Sequence, residues 1–365
     1  MPARRKTPSK PKSQRPADAI VSRPFPPSPF DRLQARVERL PVPPWIFYFL
    51  AAFVLALLMH ILRWLGGSLP PGSLEVNQLT GAVFPVYFFA LTHYLNSFAR
   101  RALANYKPLL DMGDSDYSSL EYTLATMPIR LGLLAILFGA LLGAASFFSA
   151  PEGWGVRPSF DVLSRLALLI AALAVQSCAM YWIFQTVRQA RAIDHIHRLT
   201  KAVSIFRRDP VYAFSSLTLR SALGLLLGVY AYLFLSVYLG LAALPTAIDA
   251  MAMGFGIALS IAIFVLPLYS MHSRLAAEKH RTLLDLDDRY IRLFGKFIRE
   301  VDNEKHAELE STSRAIGALT AQRESVERIS TWPWRPETLR SLVSTIALPL
   351  VLYLLSRLLG RLFGV

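Results

Sequence analysis

A chain of 365 residues with 53% hydrophobic and 18% charged residues and a positive mean hydropathy is too apolar for an ordinary soluble domain. The net charge of +14 invites a nucleic-acid reading, but Lys and Arg lie beside apolar runs rather than on an independent polar domain, which fits membrane topology instead. The single cysteine, Cys178, sits inside an apolar run, so it reads as a small core residue and leaves no disulfide within the chain.

Residues 1–29 are rich in Pro, Ser, Lys and Arg and bury too little apolar surface to order themselves, so a disordered cytoplasmic tail is expected. The first long apolar run starts only near Trp45 and can span a bilayer, which argues against a secretory signal; the prolines argue against a transit peptide. In residues 30–44, Phe30, Leu33, Val37 and Leu40 share a helical face, with Ser28 as N-cap, Pro29 at the first position and Pro41 as the stop. Arg32, Arg36 and Arg39 on the other sides suggest an interfacial amphipathic helix against anionic lipid head groups.

Seven runs can supply the roughly 20 apolar residues that a bilayer requires. They are Trp45–Leu65, Leu79–Phe98, Leu131–Phe148, Leu166–Val187, Ser221–Leu244, Met251–Tyr269 and Leu339–Leu359. Pro85, His93 and Asn96 interrupt the second, and Pro267 near the end of the sixth can kink it. The tail before Trp45 holds ten Lys and Arg, residues 100–130 four, residues 188–220 seven and residues 269–340 thirteen, whereas the alternate connectors are nearly bare. A cytoplasmic amino terminus and an external carboxyl terminus in the plasma (inner) membrane follow. Trp45, Trp332 and Trp334 fall at the inner interface and Trp64 and Trp154 at the outer, as interfacial indoles do.

The fourth run continues without a breaker through Ile193, Ile196, Leu199, Val203 and Phe206, predicting a cytoplasmic helical extension over 188–209 within the six-helix region 45–268. Residues 269–336 are the one long polar stretch with helical periodicity between two lipid-grade runs. Leu283, Leu286, Tyr290, Leu293, Phe297 and Val301 make a first stripe; Leu309, Ile316, Leu319, Val326 and Ile329 make a second beyond Asp302 to Glu304. Two antiparallel helices are expected, packed with the extension into a small bundle and offering Leu286, Leu293 and Phe297 as a partner-docking face. Residues 337–365 hold the seventh span and a short tail. The fold class is therefore all-α, a polytopic membrane protein of about seven transmembrane helices with a cytoplasmic antiparallel helical hairpin between the sixth and seventh.

Small residues four apart, as at Ala135, Gly139 and Gly143, Gly224 and Gly228, and Ala252, Gly256 and Ser260, predict close helix packing within the chain, or a homo-oligomer contact. No acidic residue lies in a predicted span, which leaves His93, Asn96 and Gln176 as the candidates for a membrane polar path. His93 and Asn96 share a face, and their commoner use is interhelical hydrogen bonding. His60 and Arg63 near the outer end of the first span read as snorkelling. The acidic segment DMGDSDYSSLE at residues 111–121 is out of register with a calcium loop and reads as a solvated loop. His195 and His197 sit two apart and do not share a helical face. No phosphate loop, nucleophile elbow or zinc signature is present, so no catalytic, cofactor-binding or metal residue is expected. The hairpin holds twelve basic and twelve acidic residues between Met271 and Glu337, which does not favour nucleic acid. The expected role is a non-enzymatic regulator, scaffold or complex subunit with a protein partner, and the alternative is a transporter or channel along the second span.

Overall fold

A computed structural model describes residues 24–200, 205–206, 210–238, 247–303 and 306–348. Among them the chain is all helical: α1 (Pro29–Val37), α2 (Pro44–Leu65), α3 (Val76–Tyr106), α4 (Asp114–Ala125), α5 (Ile129–Ser149), α6 (Val162–Leu199), α7 (Ala213–Tyr238), α8 (Ala247–Val265), α9 (Tyr269–Asp302) and α10 (His306–Glu327). A last helical stretch covers residues 336–348. Among the described residues five helical segments are long and apolar enough to cross a membrane: α2, α5, α6, α7 over Ala213–Ala231, and the α8–α9 run from Gly254. The second predicted span lies in α3, where Thr80, Thr92, His93 and Asn96 dilute the apolar run. The tail before residue 24, residues 239–246 at the end of the fifth predicted span and the start of the connector after it, and most of the seventh predicted span lie outside the described residues.

Local chemistry sets the helix ends. Ser28 caps α1, its Oγ accepting from the Asp31 amide at 3.2 Å, with Pro29 next. Asp161 caps α6, accepting from the amides of Leu163 and Ser164 at 3.0 and 3.1 Å. Two sequence expectations are corrected here. From Asp114 on the acidic segment is α4 rather than a loop, because Asp114 and Asp116 sit in its first turn, where carboxylates complement the helix dipole. The extension of α6 ends at Leu199 instead of running through Phe206: the backbone of Thr200 is extended and its hydroxyl lies 2.7 Å from that of Tyr106. Val203 lies outside the described residues.

α6 is the central helix, packed on α2, α3 and α5. Glycines bring its neighbours close: a Cβ on Gly139 would stand 2.5 Å from the Gln176 carbonyl oxygen and the Ser177 Cα, and one on Gly143 2.7 Å from the Ala172 oxygen. Gly224 of α7 meets Leu91 of α3, and Gly256 of α8 meets Val229 of α7. α8 passes through a 3₁₀ turn at Leu266–Leu268, around Pro267, into α9. The junction is clasped by stacked rings: His272 on Trp332 at 3.9 Å, Trp332 on Trp334 at 4.2 Å, and Trp334 beside Phe264 at 5.1 Å.

α9 and α10 lie along each other. Leu283, Leu286, Leu319, Val326 and Ile329 belong to one apolar cluster. Arg323 reaches Asp287 at 2.8 Å, and the Lys279 ammonium donates to the carbonyls of Glu327 and Ile329.

Gly139→Val should be destabilising by at least the 1–3 kcal/mol typical of overpacking, since the facing atoms are backbone and cannot rotate away. Thermal unfolding of the purified protein in detergent should show a clearly lowered Tm, while Gly153→Ala, which meets nothing, leaves it unchanged.

Candidate functional site

The polar residues of α3 meet at one end of the bundle, beneath α1. Asn96 is 1% exposed and engaged at both ends of its carboxamide: Oδ1 accepts from Gln185 and Gln189 of α6, each at 2.9 Å, and Nδ2 donates to Gln34 of α1 at 3.2 Å. One turn away, His93 Nδ1 lies 2.6 Å from the Tyr48 hydroxyl and Nε2 lies 3.1 Å from Glu38. With a neutral ring, Nε2 donates to the carboxylate and Nδ1 accepts from the phenol. Arg100 closes the group, 3.3 Å from the same Glu38 oxygen. Buried polar groups in an apolar bundle cost several kcal/mol unless paired, and these pairings offset most of that cost.

The segment leading into α1 is docked beside it. Ser28 N donates to the Met127 carbonyl at 2.9 Å and Ile129 N to the Pro26 carbonyl at 3.0 Å, pairing the backbone of 26–28 with the α4–α5 junction. Asp31 Oδ2 accepts from Ser28 Oγ at 2.7 Å, from the Met127 amide at 2.9 Å and from the Tyr181 hydroxyl at 3.3 Å. Burial pushes the Asp31 carboxyl above its ordinary pKa, with these hydrogen bonds acting in the opposite sense. Phe30 rests on Tyr181 at 4.3 Å and on Phe89 at 5.1 Å. Phe25 lies between Tyr122 and the Arg188 guanidinium, which itself donates to the Thr123 carbonyl. The apolar face of α1 therefore lies on protein at Phe30 and Val37, while Leu33, Leu40 and the three arginines remain outside.

Gln176 is half-buried on α6, and its carbonyl abuts Gly139. It precedes Gln185 by two and a half helical turns, on the opposite side, so the structure unites His93 with Asn96 but not with Gln176. The participants that sequence reasoning missed are Gln34, Glu38, Tyr48, Gln185 and Gln189. Their one local signal is the four-residue spacing of two glutamines where the apolar run of α6 gives way to charged residues.

On α9, Leu286 is 4% exposed, and Leu293 and Phe297 are half-buried on the same face. Leu286 is thus used inside the chain, against α10, rather than offered as the docking position expected of it. The open apolar surface is a neighbouring stripe, Leu284, Ile291, Phe294, Ile298 and Val301, each between 45% and 67% exposed. Its 7-3-4-3 spacing is that of one helix seam.

At the opposite end of the bundle Arg63 is buried and not snorkelled. It pairs with Glu75 at 2.6 Å, donates to Ser68 at 3.0 Å and lies over the Phe160 ring at 4.7 Å. His60 accepts from the Glu75 amide at 3.2 Å. The loop after α2 can fold back over both residues, supplying partners that a lipid-facing helix end lacks. Among the described residues no three His, Cys, Asp or Glu side chains gather as metal ligands. Comparisons with protein families, curated proteins and solved structures find no match to this chain.

Asn96→Ala should cost about 1–3 kcal/mol, because it leaves Gln34, Gln185 and Gln189 without their shared partner. Gln176→Ala should cost well under 1 kcal/mol, as expected away from such a network. Chemical or thermal denaturation of the two variants side by side checks the ranking.

Proposed function

We propose that this is a non-enzymatic integral membrane protein that acts as a regulator, scaffold or complex subunit through a cytoplasmic arm formed by α9 and α10. In this reading α2, α3, α5, α6, α7, α8 and residues 339–359 are seven spans, and α9 and α10 are an antiparallel hairpin between the last two. The amino terminus is cytoplasmic, and the protein resides in the plasma (inner) membrane. The Lys and Arg excess in alternate connectors supports that orientation, and the exposed Arg32, Arg36 and Arg39 suit anionic lipid head groups beside α1.

The observation that carries the role is the exposed stripe on α9. A 34-residue helix reaches about 50 Å, and its Leu284-to-Val301 seam stays uncovered although α10 packs alongside. A contiguous apolar strip with helical spacing, rimmed by charges, is what a partner helix recognises. A second reading, a transporter or channel along α3, draws support from the two neighbouring buried polar groups, His93 with Tyr48 and Glu38, and Asn96 with Gln185 and Gln189, within an apolar bundle. Both groups are hydrogen-bonded internally and covered by α1 and Glu38.

Two experiments test the leading reading. Ile291→Asp combined with Ile298→Asp should shrink the complex formed by the full chain in mild detergent while leaving its Tm unchanged. A complex of unaltered size, or a chain that is monomeric both before and after, contradicts it. Leu286→Ala should instead loosen the arm itself by roughly 2–5 kcal/mol, seen as faster proteolysis between α9 and α10. For topology, a tag after Val365 should be reached from outside intact cells and a tag before Met1 should not; a carboxyl-terminal tag protected until permeabilisation overturns the seventh span.

A further inference from the structure

Residues 25–38 cross the end of the bundle as a strap, and what lies beneath them is unusual for helices of this apolarity. Asn96, Gln185, Gln189, His93 and Tyr181 are all buried there: Asn96 meets Gln185 and Gln189 in the polar cleft between α3 and α6, His93 meets Tyr48 of α2 beside it, and Tyr181 lies beneath Phe30 next to Met127. The strap supplies part of their hydrogen bonding, Gln34 to Asn96, Glu38 to His93, and Ser28 and Asp31 to Tyr181.

The grip is mostly polar. Its apolar contacts are confined to Phe25, Phe30 and Val37, whereas Leu33 and Leu40 point outward. A polar grip differs from an apolar one in the cost of letting go. Water replaces Gln34, Glu38 and Asp31 as partner, so each lost bond costs about 0.5–1.5 kcal/mol net instead of leaving an orphaned group in hydrocarbon. The closed state also carries penalties that opening removes: Gln34 Nε2 is buried with no hydrogen-bond partner, and the Asp31 carboxylate is desolvated. Glu38 and Arg100 already stand at the rim in contact with solvent, which gives water a point of entry.

We propose that residues 25–38 are a detachable plug, whose release opens the polar cleft between α3 and α6 to water from the end of the bundle where the strap lies. The cleft is a latent aqueous vestibule: closed, its side chains bond one another and the strap; open, it presents two carboxamides of α6, the Asn96 carboxamide, an imidazole, a phenol and the Arg188 guanidinium beside Gln185. With one guanidinium among neutral donors and acceptors, that set suits water or a small polar solute that carries no positive charge. This inference does not depend on the α9 stripe or on what that stripe binds.

The test is the rate at which a membrane-impermeant thiol reagent modifies a cysteine in the cleft. The reporter is Gln189→Cys in a Cys178→Ala background, chosen because Gln185 still donates to Asn96. It is compared in three forms of the full-length protein: the native strap, a strap weakened by Phe30→Ala with Glu38→Ala, and a strap locked by a disulfide between Ser28→Cys and Gly132→Cys. A Cβ on Gly132 would stand 2.7 Å from that of Ser28, so a shift of about an ångström reaches disulfide geometry. A detachable plug predicts modification at least tenfold faster than native in the weakened form and at least tenfold slower than native in the locked form. Equal rates in the three forms, or a native rate no faster than the locked one, overturn the proposal, because the strap is then a fixed part of the fold. Protection of the weakened form while its Tm falls would overturn it as well, since loosening the strap would have opened no cleft.

Discussion

The basic end of this bundle depends on one side chain's need for partners. Asn96 sits in a helix whose neighbours are apolar, and an unpaired carboxamide there would cost several kcal/mol. Its oxygen draws two glutamines from α6 and its amide draws one from α1, so one residue fixes the register of α3 on α6 and anchors the amino-terminal segment above both. The neighbouring His93 repeats the arrangement with Tyr48 of α2 and Glu38 just beyond α1. Polar satisfaction therefore does here what shape alone cannot: it makes one helix arrangement far better than its slipped alternatives.

Away from that end, close approach of the helices holds the bundle together. α5 lies against the α6 backbone because Gly139 and Gly143 have no side chain to hold it off, and the gain is van der Waals contact, the main attraction left between helices in lipid. At the other end Arg63 is kept by Glu75, Ser68 and the Phe160 ring, an ion pair with its remaining donors partly engaged. α9 leaves through the Pro267 turn, clasped by His272, Trp332 and Trp334, with α10 folded along it.

How much of this could be read in the sequence varies with the range of the interaction. The apolar helices were legible, since length and hydropathy are local properties, and so was the Ser28–Pro29 start of α1, since capping is settled within one turn. What covers an amphipathic face was not: the spacing of Phe30 and Val37 is the same whether lipid or Tyr181 receives it. Asn96 was visible as a polar residue in an apolar run, but its donors lie 89 and 93 residues away, and nothing local selects Gln185 over Gln176. On α9 the apolar arc is wide, and only the position of α10 decides that Leu286 is covered and Ile291 open. The acidic stretch was misread because Asp and Ser suit both a loop and a first helical turn, and α4 uses them in the second way.

The most direct measurement of the central claim is a double-mutant cycle between Gln34 and Asn96, scored by reversible unfolding in detergent. If the Asn96 carboxamide is what ties α1 to α3 and α6, then Gln34→Ala adds little once Asn96 is alanine, and the coupling energy is about 0.5–3 kcal/mol. Losses from the two substitutions that simply add would contradict it, and would mean that α1 is held by its other contacts alone.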